Sequence, residues 1–418
     1  MTDENYACYE QIKRKLAGEP EPSFDAKEKE LVSQLQYGGF VLSGDFDERE
    51  DLTFRHLMNR YDQTTLGLVI APTMACNMAC EYCYEADKKG RMSAEIVETI
   101  LDFVEKRARN LQLVDINWYG GEPLLAMDII EDITESMQDL AEEYKFTCSS
   151  SMISNGYLLT KEIVDKLREL KVSMIQITLD GPARIHNRKR PLKNGRESYD
   201  TIVENIKYAT TKMAIGMRVN VDKSFTEDTI AEMLCELKDA ELQDRVGIYF
   251  GLLEPATSVC ANISESCYNN ADFSKEEIKF YRLLLEHGFR IEKLPSPVSV
   301  FCMSQDVNSF LIDPGGNLYR CFNHVGNREK SMGNIKSNID YNHPNFTGLF
   351  RFNPFLDGDC KDCAILPVCM GGCPSRRADR NLKREDLCES WKHNLPQMLE
   401  IIALSRQQQA KTAAKEQT

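Results

Sequence analysis

The sequence predicts an α/β protein built on parallel strands, and two observations predict it. From Leu66 to about Phe250, short apolar runs alternate with helix-periodic stretches at regular intervals, the order of strand, crossover helix and next strand. The chain of 418 residues, 42% of them hydrophobic, is long enough for two or three domains with a substantial core.

Residues 1–65 read as a small N-terminal module with two helical stretches, Ala26 to Leu35 and Glu48 to Asn59. Between them Gly38 to Leu42 reads as a turn and short strand. The strand candidates that follow are Leu66 to Ala71, Val114 to Tyr119, Phe146 to Ser151, Val172 to Leu179, Met217 to Val221 and Val246 to Phe250. Helices fall between them at Ala94 to Arg107, Asp128 to Glu143, Lys161 to Leu170, Tyr199 to Lys212 and Thr229 to Asp239. After Leu252 the periodicity stops. Residues 253–295 form a bridge with one helix, Lys275 to His287, and residues 296–391 are turn-rich and carry seven cysteines. A loop-rich stretch with so little apolar periodicity needs staples or metals. Residues 392–418 read as a C-terminal helix and tail, fraying from Arg406 onward where Gln, Ala and Lys dominate.

Composition removes several classes of function. A net charge of -14 argues against general nucleic-acid binding, which needs clustered Lys and Arg. No run of about 18 apolar residues is present, so no membrane span is expected. Fifteen cysteines occur without a basic start followed by an apolar stretch. The expectation is therefore a cytoplasmic protein whose clustered cysteines bind metal.

The densest chemistry lies in Cys76-Asn77-Met78-Ala79-Cys80-Glu81-Tyr82-Cys83, three thiols on one loop and no fourth. The loop follows an apolar strand ended by Pro72, and barrel-like or open α/β sheets place their chemistry at such strand ends. Three cysteines also suit half of a zinc site, which wants a fourth N or S ligand. The CxxxCxxC spacing resembles the signature of radical S-adenosylmethionine (SAM) enzymes. That resemblance implies a partial (β/α)6 barrel over residues 66–252 and a [4Fe–4S] cluster on Cys76, Cys80 and Cys83. One iron is left open for the amino and carboxylate groups of SAM, and reductive cleavage of the sulfonium releases a 5′-deoxyadenosyl radical.

Further motifs sit at the other strand ends. In Gly120-Gly121-Glu122-Pro123 two glycines let the backbone approach a ligand, and the carboxylate can accept from an ammonium group. The resemblance implies that this segment holds the SAM amino group. Ser154 and Asn155 end the third strand candidate, Thr178 and Asp180 the fourth. Short polar side chains suit ribose hydroxyls, and the resemblance places SAM contacts at both. The run from Asp180 through His186 and Asn187 to Arg190 is similar to the family's DGPxxxHDxxR, with Asn187 where Asp is usual. That exchange keeps a polar role and removes a charge, and His186 reads as a structural hydrogen-bonding residue. Strand alternation puts Arg218 and Asn220 on one face. Arg218 is a candidate for the SAM carboxylate or for an internal ion pair. Tyr82 occupies the position of the family's aromatic residue beside adenine.

Downstream, Cys302, Gly316 and Cys321 precede Cys360-x2-Cys363-x5-Cys369-x3-Cys373 and a later Cys388. Pairs two residues apart also suit zinc ribbons, but the whole series resembles the SPASM auxiliary-cluster pattern. The resemblance implies that Cys360, Cys363, Cys369 and Cys388 ligate a distal cluster and that Cys302, Cys321 and Cys373 ligate a proximal one. Three [4Fe–4S] clusters and SAM are then the cofactors. The fourth proximal ligand stays open between Cys260, Cys267 and a substrate thiolate. Cys148 on a strand and Cys235 on a helix are expected to be buried.

The function implied is radical modification of a ribosomal precursor peptide, with Cys thioether crosslinking the leading outcome. Formylglycine formation on sulfatases, a peptide C–C crosslink and epimerisation are the alternatives. Expected partners are the precursor peptide and a reductant such as ferredoxin or flavodoxin, with residues 1–65 docking a leader by strand addition. A plain electron carrier would have no use for Gly120 to Pro123 or Arg218.

Overall fold

The computed structural model describes residues 3–18, 22–85, 89–379 and 382–416. The chain divides into a unit ending at Arg55 and a unit beginning at His56. The first unit holds α1 (Asp3–Gly18), α2 (Ala26–Tyr37) and most of α3 (Glu48–Arg60). Asp25 and Glu28 start α2 reciprocally: Glu28 N–H donates to Asp25 Oδ1 at 2.8 Å, and Asp25 N–H to Glu28 Oε2 at 2.9 Å. This capping box satisfies two amides left open at a helix start. Cys8, Ile12 and Val32 form the unit's small apolar core. Gly38 to Leu42 is turn and bend, not the expected strand, and the described residues of this unit contain no strand at all. A lone extended segment has no neighbour to receive its amides.

The second unit is built on one sheet of order β6-β5-β4-β3-β2-β1-β7-β8. Its strands are β1 (Thr65–Ile70), β2 (Leu113–Trp118), β3 (Thr147–Ser154), β4 (Val172–Thr178), β5 (Ala214–Val221), β6 (Gly247–Leu252), β7 (Ser309–Ile312) and β8 (Leu318–Tyr319). β1 to β6 pair in parallel in sequence order, with registers such as Ile70↔Trp118 and Thr178↔Arg218. The crossovers carry α4 (Ala94–Glu105), α5 (Met127–Tyr144), α6 (Lys161–Glu169), α7 (Ala183–Lys189), α8 (Tyr199–Ala209) and α9 (Glu227–Asp239). This is the partial (β/α)6 barrel. Its core is continuous from Leu66 and Ile70 through Ile116, Trp118, Ile175 and Val219 to Phe250.

Helix caps explain where the crossovers begin. Ser93, Thr160 and Thr226 each accept from an amide in the first turn of α4, α6 and α9, worth about 1 kcal/mol per cap. Along α9 the apolar stripe Ile230, Met233, Leu234 and Leu237 is buried. Cys235 lies off that stripe and is exposed, contrary to the sequence expectation. Cys148 on β3 is only half-buried.

The turn-rich C-terminal third does not stand apart from the sheet. β7 pairs in parallel with β1, Leu68 opposite Phe310, and β8 returns antiparallel to it. Beyond α10 (Asn270–Glu286) and this hairpin come three short helices, α11 (Pro344–Phe350), α12 (Leu366–Cys369) and α13 (Pro374–Ala378), then α14 (Trp391–Glu416). Buried Glu277 on α10 accepts from Lys293 Nζ at 2.5 Å and Asn394 Nδ2 at 2.8 Å, which ties α14 down. α14 therefore continues through the stretch expected to fray, and the last two residues of that stretch lie outside the described residues. Among the described residues no helix is long and apolar enough to cross a membrane.

Candidate active site

A cavity of about 560 Å³ opens at the C-terminal ends of β1 to β6. Cys76, Cys80, Cys83, Tyr82, Gly120, Gly121, Ser154, Asn155, Thr178 and Arg218 all line it. Those ten residues come from five separate strand ends and were each expected to serve one cofactor. Among the described residues no fourth cysteine lines the cavity.

The two glycines also pack against the chain that leads into Cys76. Gly120 has φ +121, and a Cβ there would collide with the Thr73 carbonyl; a Cβ on Gly121 would collide with the carbonyls of Met74 and Ala75. Their amides and those of their neighbours bond the same stretch: Gly121 N–H donates to Thr73 O at 3.2 Å and Glu122 N–H to Ala75 O at 2.9 Å. The close approach is to the chain leading into Cys76, and it holds the three-cysteine loop against β2.

Glu122, Pro123 and Asp180 are buried behind the cavity wall and do not line it. Glu122 accepts from Asn155 N–H at 2.8 Å, Ser154 Oγ at 2.9 Å and Leu124 N–H at 3.2 Å. Burial pushes its carboxyl above the ordinary range, and those donors pull it back. With its acceptor sites engaged this way, Glu122 fixes Ser154 and Asn155. Asn155 in turn donates to Asn77 Oδ1 at 2.7 Å and approaches Cys76 Sγ at 3.8 Å.

Asp180 plays the same supporting part on the other wall. It accepts from Tyr82 OH and, at 2.9 Å, from Asn220 N–H. Tyr82 OH also receives Arg190 Nη1 at 2.5 Å and Asn220 Nδ2 at 3.2 Å. Arg190 and Asn220 line the cavity, as do Tyr84, Glu85, Gln176 and Tyr119, and sequence reasoning assigned a role to none of them. Arg190 stood in the quoted motif, and Asn220 shared a strand face with Arg218. Arg190 Nε is buried with no partner. Arg218 donates Nε–H to Asn220 Oδ1 at 2.8 Å and makes no ion pair among the described residues. A Cβ at Gly251 would meet its guanidinium at 2.6 Å, so the glycine on β6 leaves it room. His186 is structural: Asp180 N–H donates to its Nδ1 at 3.1 Å, and its Nε2 stands 3.2 Å from Ser198 Oγ.

The far end of the cavity is aromatic and apolar. Tyr84 and Tyr119 hydroxyls touch, Tyr119 meets Phe322 edge-on at 5.0 Å, and Leu252, Leu253 and Glu254 complete the wall with Phe322 and Asn323. Phe322 directly follows Cys321. Burial, reinforced by Cys373 and Cys302, pushes the Cys321 thiol up to about 12, and Cys302 is raised by burial with Cys373 adding to it. Cys302, Cys321 and Cys373 are thus electrostatic neighbours, and Phe322 and Asn323, which follow Cys321, line the cavity.

Cys260 and Cys267 are both buried. Their thiols donate to Thr257 O at 3.4 Å and Ile263 O at 3.3 Å, and both pack with Tyr82 and Leu253. The other four C-terminal cysteines also converge. Burial raises Cys360 to about 12 beside Cys369, and burial raises Cys369 beside Cys388. Lys392 Nζ donates to Cys363 Sγ at 3.3 Å and Arg377 Nη2 to Cys360 Sγ at 3.3 Å. Cations aimed at sulfur fit thiolates that ligate a multi-iron group. Among the described residues no three His, Cys, Asp or Glu side chains stand close enough to hold one metal ion.

Residues 70–237 match the Radical SAM superfamily. The chain is 24% identical over 369 residues to the serine-type anaerobic sulfatase-maturating enzyme of Bacteroides thetaiotaomicron, spanning 78% of this chain and 87% of that protein. A shorter match, 27% over 147 residues, spans 37% of an uncharacterized protein of Synechocystis sp.. The fold is similar to that of native anSMEcpe with bound AdoMet and Cp18Cys peptide, with TM-score 0.61, 18% identity and coverage of 84% of this chain and 99% of that one. It is also similar to Streptococcus suis SuiB bound to precursor peptide SuiA, with TM-score 0.55, 16% identity and coverage of 92% and 88%. The barrel and the loop at the end of its first strand define a radical SAM domain. Residues 70–237 thus carry a radical SAM domain, which implies a [4Fe–4S] cluster and SAM, and the chain as a whole is similar in sequence to a sulfatase-maturating enzyme and in fold to two peptide-binding relatives.

Proposed function

We propose that this enzyme modifies a ribosomal precursor peptide by hydrogen abstraction and closes a thioether between a peptide Cys sulfur and an acceptor carbon, the abstracted hydrogen leaving in 5′-deoxyadenosine, the thiol proton to solvent, and the remaining electron to an iron–sulfur group that the C-terminal cysteines would hold. One observation carries the reading: a single cavity runs from Cys76, Cys80 and Cys83 to the residues beside Cys321. An acceptor carbon near the first set and a peptide thiolate near the second would share that space.

The residues fit the groups the class implies. Cys76, Cys80 and Cys83 would hold the first cluster, Cys302, Cys321 and Cys373 a proximal cluster with one position left for the peptide, and Cys360, Cys363, Cys369 and Cys388 a distal one. When bound, the first cluster and SAM supply a 5′-deoxyadenosyl radical. Arg218, which makes no ion pair among the described residues, would fork onto the SAM carboxylate, and Tyr82, clamped by Asp180, Arg190 and Asn220, would flank adenine. Ser154, Asn155 and Thr178 supply polar groups for the remaining SAM contacts. Tyr84, Tyr119, Leu253 and Phe322 would exclude water around the target carbon and hold it in place, which is where much of the rate advantage of such a site comes from.

The test is anaerobic reaction of the reconstituted enzyme with SAM, dithionite and a short Cys-containing peptide encoded beside its gene. A loss of two hydrogens with 5′-deoxyadenosine formed, and a Cys no longer open to alkylation, is expected. An aldehyde trapped by a hydrazide on a sulfatase peptide would support formylglycine formation instead, the reading favoured by the 87% span of the Bacteroides enzyme. Retention of 5′-deoxyadenosine formation in Cys76→Ala would overturn the assignment of the first site.

A further inference from the structure

Two cations reach the sulfurs of the distal cysteine set from separate elements. Arg377 on α13 donates Nη2–H to Cys360 Sγ at 3.3 Å, and it is itself fixed by donating Nε–H to Gly371 O at 2.7 Å. Its guanidinium also lies 5.0 Å from the Phe352 ring centroid. Lys392, in the first turn of α14, donates Nζ–H to Cys363 Sγ at 3.3 Å and is exposed. On the other sets, Cys302 Sγ stands 3.0 Å from Ser304 Oγ, Cys76 Sγ accepts from Met78 N–H at 3.4 Å and lies 3.8 Å from Asn155 Nδ2, and Arg376 bonds Cys373.

Hydrogen bonds and positive charge at ligating sulfur favour the reduced, more negative state of an iron–sulfur group. We propose that Arg377 and Lys392 are positioning residues that raise the reduction potential of the group held by Cys360, Cys363, Cys369 and Cys388, making the distal site a better electron acceptor than its cysteines alone would. The inference rests on the reading of those four cysteines as cluster ligands. The two cations divide the task by environment. Arg377 is half-buried and little affected by salt, whereas exposed Lys392 is screened as ionic strength rises.

The experiment is potentiometric titration of the full-length reconstituted protein, followed by electron paramagnetic resonance. The distal signal is defined as the one lost in the combined Cys360→Ala, Cys363→Ala, Cys369→Ala variant. In Lys392→Met and in Arg377→Met the ratio of oxidised to reduced distal group at a fixed potential should rise about tenfold, about 59 mV for one electron. The midpoints of the other signals should not move, and Lys392→Arg should restore the native value. Raising salt should lower the native midpoint and leave that of Lys392→Met in place. A distal midpoint unchanged in both Met variants, or an equal shift of every signal, would overturn the inference. A triple variant that keeps all its iron would instead overturn the ligand reading, and the inference with it.

Discussion

Asn155 at the end of β3 donates its side-chain amide to Asn77 Oδ1 at 2.7 Å, so a strand two places along the chain order fixes the loop that carries Cys76. The bond is partly buried, and Asn77 Nδ2 on the other side of the same amide has no partner. Asn155→Ala should free the loop at a cost of about 1–1.5 kcal/mol, seen as a roughly tenfold weaker SAM affinity by calorimetry. Unchanged affinity would show that the loop is held elsewhere.

Gly121 offers a sharper test of the same loop. Its Cβ would strike the carbonyls of Met74 and Ala75, which are backbone and cannot rotate away. Gly121→Ala should cost about 1–3 kcal/mol and leave the first site poor in iron. The C-terminal sites should stay filled. Iron analysis and thermal unfolding measure the two effects separately, and native iron content with a native Tm would refute the packing role.

Beneath the cavity Lys189 and Asp222 form a buried ion pair. Burial works against the Asp222 carboxylate, yet Lys189 and Ser224 more than offset it and hold its pKa low. Asp222→Asn strands a buried ammonium and should cost about 3–5 kcal/mol, whereas Lys189→Met with Asp222→Asn should recover most of that loss. Urea unfolding of the two single variants and the double variant gives the coupling energy. Additive losses would mean the pair is not coupled.

The barrel was legible because its strands are short apolar runs closed by turn residues, and each of the six was placed to within a few residues. β3 runs on through Met152, Ile153 and Ser154 beyond its expected end, and β5 starts early at Ala214 because Ala214 and Gly216 carry little apolar signal. α7 was hidden by its length, seven residues after Pro182. β7 was missed for the same reason: four residues in a Cys- and Gly-rich stretch do not announce a strand that completes the sheet beside β1. Cysteine spacing exposed the three cysteine sets, since a ligand pattern is local in sequence. The buried supports were not legible, because Glu122, Asp180 and Arg190 act across strand ends that only the folded sheet brings together. Asn187 shows how a departure from a family pattern can be absorbed: its Oδ1 accepts from the amides of Ser198 and Tyr199, both at 3.0 Å, a task that needs an oxygen and no charge.

His186 should give the protein a titration of its own. Burial, helped by the Arg190 charge, drives its pKa well below the ordinary 6.5, so the folded state keeps it neutral while the unfolded chain takes a proton. Stability is therefore full above pH 6.5 and falls as the pH drops below it, by up to about 1.4 kcal/mol per pH unit for one proton. His186→Gln, which cannot titrate, should flatten that part of the slope in urea unfolding between pH 7.5 and 5.5. An equal slope in both proteins would place the acid sensitivity on other groups.

Iron stoichiometry separates the three cysteine sets most directly. Three four-iron clusters amount to about twelve irons per chain. Replacing Cys360, Cys363 and Cys369 together should remove about one third of that iron, and replacing Cys76, Cys80 and Cys83 should remove another third together with all SAM cleavage. Neither change should disturb the barrel, because β1 to β6 pair with one another and draw their core from Leu66, Ile116, Ile175 and Val219. Circular dichroism of each variant checks that independence. Loss of zinc in place of iron from the C-terminal variant would mean that Arg377 and Lys392 face a different metal.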